Sequence, residues 1–515
     1  CAGGQGVSVV LSEHLALLVS APEGIQKLRG LILELAVRGK LVAQEPDNNQ
    51  SNWKRGLFSD FFSLEYGDNL PAPKRTGTGE YPVYGSNGIV GTHNECRVQA
   101  PCIVVGRKGS AGALNLCREN GCWVTDVAYY CIPPSDVDLD FVFVLFHTLG
   151  LDNLGKGIKP GLSRSEAYSL PVEIPPLAEQ HRIVAKVDEL MALCDRLEAE
   201  QADAAGAHAR LVDTLLGTLT QSADAADLAA NWQRLAEHFD TLFTTEASID
   251  ALKQTVLQLA VMGKLVPQNP NDEPASKLLK RIGQERARLE AGGTCKKSKS
   301  MPPVGEDEQP FEVPESWVWE RIGNYAVQTD YGLSEKTLSM TEGVPVLKMG
   351  DIQAGKVILG GQKVVALATE GLPYLFLEPG DLLYNRTNSA ELVGKTGIFR
   401  GLAQQYSFAS YLIRIRCFNE LVSPTFLNFV MNSPMFRETE IVPHLKQQCG
   451  QANVNGTILR NMRIPVPPAA EQHRIVAKVE ELMALCDLLK ADLVEARASQ
   501  ASLADTLIEA ALEVA

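Results

Sequence analysis

The chain has 515 residues, enough for roughly three or four domains, and its formal net charge is −14. An acidic total of this size argues against nucleic-acid binding only where it is spread evenly. Here residues 175–252 hold 5 basic and 14 acidic side chains and 467–515 hold 4 and 9, whereas 53–174 hold 11 and 13 and 317–466 hold 14 and 12. The last two segments are near neutral, so each can present a basic face.

Cysteine use and hydropathy exclude a disulfide-rich secreted protein and a membrane-spanning one. The 11 cysteines include no C-x-x-C pair, and the five from Cys96 to Cys131 have spacings that fit no common zinc site. Buried free thiols in a reducing cytoplasm are therefore expected. No apolar run approaches ~18 residues, so no membrane span is predicted. The start at Cys1 favours a trimmed terminus over a lipidated cysteine.

The first element is a helical segment, residues 11–46, which returns later in the chain. Twelve of the 22 positions from Ile25 to Pro46 are identical at an offset of 224, including Leu-Ala-Val-x-Gly-Lys-Leu-Val. The Gly39-Lys40 pair is expected to end the helix. It is not a phosphate loop, because no glycine-rich run precedes it.

Residues 53–174 alternate aromatic, β-branched and glycine residues in short runs that are typical of strands joined by tight turns. The clearest runs are Tyr81–Gly91, Cys102–Gly112 and Trp123–Tyr130, and a short helix is expected over Phe141–Thr148.

Residues 317–466 have the same character, with Gly380–Arg386 in the place of Cys102–Arg107 and Phe408–Ile413 in the place of Trp123–Tyr130. The glycine, lysine and proline content of residues 291–316 predicts a mobile linker before this second domain.

A 21-residue motif opens at Pro175 and returns at Pro467, with 19 of 21 positions identical at an offset of 292. Pro-Pro followed by an acidic residue is typical of a helix start. Apolar or small residues then recur in steps of 4 and 3, which predicts a coiled-coil seam. The seam positions are Ile183, Val187, Leu190, Cys194, Leu197, Gln201, Ala204, His208, Leu211 and Leu215, and each has a counterpart 292 residues later.

Two such helices most simply pair with each other in antiparallel fashion. At ~1.5 Å per residue, about 40 residues make a rod of roughly 60 Å. A hairpin with a purely structural role is the alternative on periodicity alone. The order helix, strand-rich domain, helix, helix, strand-rich domain, helix is a tandem duplication, which suits a protein that reads two different things.

Motifs for catalysis are missing. Gly394-Lys395-Thr396 resembles the end of a Walker A loop, but Ser389 stands where that loop needs glycine. The spacing of Gly106, Gly109 and Gly112 does not fit a dinucleotide fingerprint. The sequence has no Asn/Asp-Pro-Pro-Tyr/Phe tetrapeptide of an amino-methyltransferase and no clear nuclease or metal spacing. No catalytic, cofactor-binding or metal-binding residue is therefore predicted.

The two domains do offer chemistry for contacts with DNA. Arg107-Lys108-Gly109-Ser110 and Asn385-Arg386-Thr387-Asn388 each place a guanidinium and small polar groups at the end of an apolar strand. Arginine can bond bidentately to guanine and asparagine to adenine. Glycine lets the backbone approach phosphate closely. Each motif alone fits a solvated or structural charge equally well, but the motif recurs at matching places in both domains.

The repeated Pro-Pro-x-Ala-Glu-Gln-His-Arg-Ile-Val-Ala-Lys-Val-x-Glu-Leu-Met-Ala-Leu-Cys-Asp resembles the helix motif of the specificity subunits of type I restriction–modification systems. Leu-Ala-Val-x-Gly-Lys-Leu-Val resembles that family's other repeat. The resemblance covers essentially the whole chain. It implies an α+β fold, with two strand-rich α/β target-recognition domains separated by a pair of long antiparallel coiled-coil helices, in a pseudo-twofold tandem duplication.

The predicted domain limits are 1–52 for the N-terminal helical repeat segment, 53–174 for recognition domain 1, 175–290 for the central long helix and second helical repeat, 291–316 for the linker, 317–466 for recognition domain 2 and 467–515 for the C-terminal long helix.

The resemblance further implies a non-enzymatic subunit that reads a bipartite asymmetric DNA site, one half with each domain. Its partners would be double-stranded DNA, two adenine-N6 methyltransferase subunits and, in a complete system, two restriction–translocase subunits. S-adenosylmethionine, ATP and Mg²⁺ would be bound by those partners in the cytoplasm, and no cofactor by this chain.

The residues predicted to contact DNA are Tyr84, Ser86, Asn87, Arg107, Lys108, Ser110, Lys159 and Arg164 in the first domain and Tyr331, Ser334, Lys336, Lys348, Asn385, Arg386, Thr387, Asn388, Lys395, Gln448 and Asn453 in the second. Two other hypotheses stay open on the sequence. One is a specificity half cut from a fused methyltransferase–endonuclease, against which the missing tetrapeptide argues. The other is a coiled-coil scaffold with two unrelated binding heads.

Overall fold

The computed structural model describes residues 14–43, 52–99, 101–154, 161–293, 295, 297, 300–339, 342–448 and 451–514. It divides into two compact units, one formed by Cys1–Gly206 with Val494–Ala515 and the other by Ala207–Leu493. Each unit combines a helical frame with one of the strand-rich domains.

The N-terminal repeat forms one helix in each unit, Gly24–Val37 in the first and Glu246–Val261 in the second, and we call these the frame helices. Each is followed by the repeated glycine in the left-handed region, since Gly39 and Gly263 have φ of 65° and 71°. The amide of the next lysine donates to a carbonyl of the last turn at 2.9 Å in both copies. The prediction that Gly-Lys ends a helix is confirmed.

The described residues of the first strand-rich domain form three sheets. Its strands are β1 (Lys54–Leu57), β2 (Glu65–Tyr66), β3 (Tyr81–Gly85), β4 (Gly88–His93), β5 (Cys102–Gly106), β6 (Leu114–Cys117), β7 (Trp123–Val124), β8 (Ala128–Cys131) and β9 (Pro171–Ile174). The main sheet has the order β2-β8-β5-β6, a second sheet has the order β4-β3-β7, and β1 pairs with β9. The helix Leu139–Thr148 packs on the main sheet, and its apolar residues share a core with β5 and β8.

The second domain repeats this topology with additions. Its strands are β10 (Val318–Arg321), β11 (Gln328–Tyr331), β12 (Val344–Leu347), β13 (Ile352–Gln353), β14 (Lys356–Val357), β15 (Val364–Val365), β16 (Leu382–Asn385), β17 (Thr387–Asn388), β18 (Thr396–Ile398), β19 (Ser407–Phe408), β20 (Leu412–Arg416), β21 (Lys446–Gln448), β22 (Gln451–Asn453) and β23 (Arg463–Val466). The order β11-β20-β16-β18 matches β2-β8-β5-β6, and β15-β12-β19 matches β4-β3-β7. Strands β13 and β14 extend the main sheet, and β17-β22-β21 form a further sheet.

Each domain is closed by the strands through which the chain enters and leaves it. Strand β1 pairs antiparallel with β9, with Lys54 opposite Ile174. Strand β10 pairs in the same way with β23, with Val318 opposite Val466. Each exit strand leads within a few residues into a long helix, which we call the first (Leu177–Gln221) and the second (Ala469–Val514) long helix.

The repeated Glu-Gln at the start of each long helix is buried, and we call this pair the helix-start clamp. In the first unit Glu179 and Gln180 are 0% and 1% exposed. Trp53 Nε1, just before β1, donates to Glu179 Oε2 at 3.1 Å, and Gln180 Oε1 accepts from the backbone amide of Asp138 at 2.6 Å. Asp138 caps the helix Leu139–Thr148. The clamp therefore joins the long helix to the domain's entry and to its internal helix.

The second unit repeats the clamp with other partners. Gln472 Oε1 accepts from the backbone amide of Ser423 at 2.8 Å, and Ser423 caps the helix Pro424–Met431. Gln268 Nε2 donates to Glu471 Oε1 at 2.6 Å, while burial raises the pKa of Glu471. The motif predicted to start a helix does so. Its repeated Glu and Gln side chains also bind the strand-rich domain of their own unit or the segment before it.

Ion pairs fix each frame helix to the long helices. In the first unit Arg29 pairs with Asp195 at 2.6 Å and Glu198 at 2.9 Å, and Lys27 pairs with Asp505 at 2.6 Å. In the second unit Lys253 pairs with Asp487, and Lys490 pairs with Asp250 at 2.9 Å and Glu246 at 3.2 Å. The start of the first long helix and the end of the second belong to the first unit, whereas the end of the first and the start of the second belong to the second unit.

The buried stripe of the long helices departs from the predicted heptad seam. Ile183 is buried as predicted, but Leu211 is 51% exposed and its neighbour Val212 is buried. In the second helix Leu503 is 47% exposed and Ala504 is buried. From Ile183 to Val212 is 29 residues, which is eight steps of about 3.6, the period of a straight helix, and not of the ~3.5 that a heptad seam requires. The predicted seam is therefore wrong by one residue in the later part of each helix.

The described part of the predicted linker, 291–316, packs on the second domain and does not form a free spacer. Arg321 Nη2 donates to both carboxylate oxygens of Glu308 at 2.8 Å, and Trp319 Nε1 donates to Phe311 O at 3.2 Å. Composition could not show this, because the partners lie on the strand that follows. None of the helices in the described part of the chain has both the length and the apolarity needed to cross a membrane.

The stripe can be tested with two leucines five residues apart on the first long helix. We expect Leu216→Ala, at a position 4% exposed, to lower the free energy of unfolding by about 2–5 kcal/mol, because it leaves a cavity. Leu211→Ala should change it by less than about 0.5 kcal/mol. Urea unfolding followed by circular dichroism measures both. Equal losses would mean that Leu211 is buried and the heptad seam is correct.

Candidate nucleic-acid interface

The central strand of the first domain's main sheet ends at an arginine that is held in place. The backbone amide of Arg107 donates to Val127 O at 3.0 Å, and its Nη2 donates to Asp126 O at 2.6 Å. Its guanidinium lies 5.1 Å from the ring centroid of Tyr66 and 5.8 Å from that of Tyr129. A carbonyl and two rings therefore fix the direction of this cation.

A second arginine faces the same ring. The guanidinium of Arg164 lies 4.2 Å from the Tyr66 centroid, and Nη1 donates to Leu64 O at 3.1 Å. A hydrogen bond with Tyr129 and the positive charges of Arg164 and Arg107 lower the pKa of Tyr66. Two cations thus converge on one exposed tyrosine.

The β3–β4 turn lies against the loop that follows β5. A side-chain carbon on Gly106 would come within 2.4 Å of Ser86 O and 2.0 Å of Ser110 O, so only glycine permits this approach. Asn87 at the tip of the turn and Lys108 on the loop are exposed. The structure therefore brings together six of the predicted residues: Ser86, Asn87, Arg107, Lys108, Ser110 and Arg164.

The second domain repeats the arginine arrangement. The backbone amide of Arg386 donates to Tyr411 O at 3.1 Å, its Nη1 donates to Ser410 O at 3.3 Å, and its guanidinium lies 4.9 Å from the Tyr331 centroid. Tyr331 ends β11 as Tyr66 ends β2. In both domains the arginine that follows β5 or β16 faces the tyrosine at the end of β2 or β11, and the arginine side chain donates to a backbone carbonyl. We call this the Arg–Tyr unit.

A small sheet, β17-β22-β21, flanks the second Arg–Tyr unit. Thr387 stands opposite Asn453, and Thr387 Oγ1 donates to Asn453 Oδ1 at 3.3 Å. Asn388 Oδ1 accepts from the backbone amide of Ser389 at 2.9 Å. Gln448 is the last residue of β21. Thr387, Asn388 and Asn453 lie beside Arg386 because β17 begins at the next residue, whereas the Gln448 side chain is outside the part that the structure describes.

The loop after β11 adds further polar side chains. Ser334 and Lys336 are exposed, and Lys348 Nζ donates to Thr337 Oγ1 at 3.0 Å. The loop is held next to the acceptor of Arg386, because the Ser410 amide donates to the carbonyl at position 333 at 2.8 Å. Ser334, the next residue after this contact, therefore lies near the Arg–Tyr unit.

Two other predicted residues are buried, whereas Lys395 lies near Arg386, since the Asn385 amide donates to the Lys395 carbonyl at 2.9 Å. Tyr84 and Asn385 are 5% and 1% exposed, and Asn385 Nδ2 donates to Leu392 O at 3.2 Å. Their side chains point into the domain, so the structure does not support the predicted DNA contacts at these two positions. Lys395 is exposed before β18. Lys159 lies outside the described residues.

The cations of the two Arg–Tyr units keep their charge uncompensated. Among the described residues, no carboxylate lies within ion-pair distance of Arg107, Arg164 or Arg386, whose polar partners are carbonyls. Two other arginines of the second domain are paired with carboxylates, Arg414 with Asp330 at 2.7 Å and Arg416 with Asp381 at 2.5 Å. An oriented, unpaired guanidinium can bind a phosphate or the edge of a guanine.

Sequence reasoning missed Tyr66 and the carbonyl acceptors. Tyr66 is 41 positions from Arg107, and only the sheet order β2-β8-β5 brings them close. The one available signal was an aromatic residue at the end of a strand run in both domains.

The family model described as the type I restriction modification DNA specificity domain matches residues 50–205 and 322–496. Those stretches make up more than half of the chain. The chain belongs to this family.

Relatives within the specificity family extend over nearly the full length. The type I restriction enzyme EcoEI specificity subunit of Escherichia coli is 33% identical over 558 aligned residues, covering 95% of this chain and 94% of the relative. The EcoAI specificity subunit of Escherichia coli is 39% identical over 350 residues, covering 66% and 58%.

A solved chain from a study of assembly and conformational transition of the type I R-M system supports the fold. It has a TM-score of 0.50 and 15% identity, covering 92% of this chain and 99% of that one. Specificity subunits recognise DNA and are not catalytic, which accounts for the missing nucleotide and methyltransferase motifs.

The two arginines can be tested separately. We expect Arg107→Ala or Arg386→Ala to weaken binding to the cognate site by ~1–3 kcal/mol and to relax specificity at one base, if the guanidinium reads a guanine. A phosphate contact would weaken all sequences alike and flatten the salt slope. Fluorescence anisotropy on cognate and scrambled duplexes, in a salt series, distinguishes the two.

The matched control is Arg55→Ala. Arg55 is an exposed arginine of the same domain that pairs with Glu173 at 3.1 Å on the closing strands. It should leave affinity unchanged. Unchanged affinity and specificity in both the Arg107 and the Arg386 variants would contradict the placement of the interface.

Proposed function

We propose that the chain reads a bipartite, asymmetric DNA site, one half with each strand-rich domain. The observation that carries the proposal is the Arg–Tyr unit, which occupies the same topological position in both domains. The residues around it differ: the β3–β4 turn and Arg164 accompany Arg107, whereas β17, β22 and the loop after β11 accompany Arg386. A common anchor with different neighbours supports two surfaces of different specificity.

The complex would contain one such chain, two adenine-N6 methyltransferase subunits and, in a complete system, two restriction–translocase subunits. The duplicated frame supports the pair of methyltransferases, because the frame-helix repeat and the long-helix motif each occur twice. Near-identical surfaces bind identical partners, so two copies of one subunit fit two copies of one frame. The acidic long helices, away from the near-neutral domains, are the part proposed to face these partners.

The division of labour follows from the missing motifs. S-adenosylmethionine, ATP and Mg²⁺ would be bound by the partner subunits. This chain would determine the DNA sequence at which the complex acts. The complex would act in the cytoplasm, where its DNA substrate lies.

If each domain recognises its own half of the DNA site, a substitution in one domain should change the specificity for that half alone. We expect Arg107→Ala to loosen only one half of the methylated motif and Arg386→Ala only the other, because each arginine lies in its own domain. The free-energy losses of the double variant should add within ~0.5 kcal/mol. Methylation-sensitive sequencing of a host genome that carries each variant complex measures both halves at once. Loss of both halves in each single variant would contradict the one-domain, one-half assignment.

The absence of catalysis in this chain can be tested by titration. We expect isothermal titration of S-adenosylmethionine into the purified subunit to give no heat of binding. The same titration into the assembled methyltransferase complex is the positive control. Micromolar binding by the isolated chain would overturn the assignment of this cofactor to the partners.

A further inference from the structure

Three buried thiols of the first domain meet at one point, although they are distant in sequence. The Sγ atoms of Cys102, Cys117 and Cys122 all lie within 4.8 Å of one another, and those of Cys102 and Cys122 are 3.8 Å apart. All three residues are 0% exposed. The sequence spacing suggested no metal site, because the cluster depends on strand register.

The backbone fixes each sulfur in place. Cys102 on β5 stands directly opposite Cys117 on β6 in the antiparallel ladder. Cys122 precedes β7, and its amide and carbonyl both bond to Val98, at 2.9 and 3.1 Å. Cys117 and Cys122 are separated by four residues, and the register of β5 and β6 brings Cys102 to them.

A fourth donor lies at the open side of the cluster. Glu119, in the turn between Cys117 and Cys122, has its Oε2 3.3 Å from Cys117 Sγ, and its carboxylate is exposed to solvent. A tetrahedral zinc ion with Zn–S bonds of ~2.3 Å requires sulfur–sulfur edges of about 3.8 Å. The Cys102–Cys122 distance matches that edge.

We propose that Cys102, Cys117, Cys122 and Glu119 bind one structural zinc ion. Three sulfurs and a carboxylate oxygen form a four-donor set of the kind that zinc accepts. A disulfide between Cys102 and Cys122 would employ two of the sulfurs and leave the third and the carboxylate without a role. The metal uses all four donors.

The surroundings suit thiolate ligands. The Tyr84 hydroxyl lies beside Cys117 and can donate to its sulfur, as outer-shell groups do in zinc sites. Tyr84, predicted as a DNA contact, would therefore support the metal site.

The ion would link two sheets that carry the candidate interface. Cys102 and Cys117 belong to the main sheet, whose β5 leads into Arg107, while Cys122 leads into β7 of the sheet that contains the β3–β4 turn. Zinc would therefore hold the turn with Ser86 and Asn87 at a fixed distance from Arg107. In the second domain, the position five residues before the arginine is Asp381, which pairs with Arg416 at 2.5 Å, so only the first domain would depend on zinc.

The test is metal analysis of the full chain, purified without chelator from zinc-supplemented cells. We expect about one zinc per chain by inductively coupled plasma mass spectrometry. Cys102→Ser, Cys117→Ser and Cys122→Ser should each lose the metal. Cys96→Ser, a nearby half-exposed thiol outside the cluster, should retain it. Glu119→Gln should weaken zinc in chelator competition by about tenfold or more. Reconstitution with Co²⁺ should show thiolate-to-cobalt charge transfer and tetrahedral d–d bands.

A second measurement on the unaltered chain keeps the test decisive if the serine variants fail to fold. Chelation should speed iodoacetamide labelling of Cys102, Cys117 and Cys122 more than labelling of Cys131, which is equally buried on the other face of the same sheet. Absence of zinc in the unaltered chain, full zinc retention in Cys102→Ser and Cys117→Ser, or labelling of the three thiols that chelation leaves unchanged would overturn the proposal.

Discussion

The buried Glu-Gln pair at the start of each long helix is the contact on which the rest of each unit depends. One side chain reaches the entry of the strand-rich domain or the segment before it, and the other accepts from the amide that caps the domain's own helix. Three separate elements therefore meet at two side chains that water does not reach. An unmet polar group at such a point costs about 1–3 kcal/mol, which explains why neither residue differs between the two copies.

Repetition made the helical frame predictable from sequence. The two internal repeats located both frame helices, their glycine ends and the starts of both long helices, because the physical signals for helix ends are local. The strand runs of both domains were also found, although Trp123–Tyr130 proved to be two strands, β7 and β8, in different sheets. The buried stripe of the long helices was less predictable, since periods of 3.5 and 3.6 differ by one residue only after eight steps.

The candidate interface was predictable in part. Arg107, Arg386 and Tyr331 could be proposed from the sequence, but Tyr66 and the carbonyls that orient the arginines come from distant segments. The thiol cluster could not be predicted for the same reason, because Cys102 and Cys117 become neighbours only through the register of β5 and β6. Asn385 shows the opposite failure. Its side chain has suitable chemistry for a base contact, but all four residues of β16 are buried and Asn385 donates to a carbonyl inside the domain.

The pairing of entry and exit strands affects how new DNA specificities can evolve. Because β1 lies beside β9 and β10 beside β23, each domain begins and ends at almost the same place in space. The exit lies beside a stretch that is identical at 19 of 21 positions in the two copies. Genetic recombination within that stretch could replace a whole domain and leave the clamp residues unchanged. New specificities could then arise by exchange of complete modules, in single events, without passing through partly folded intermediates.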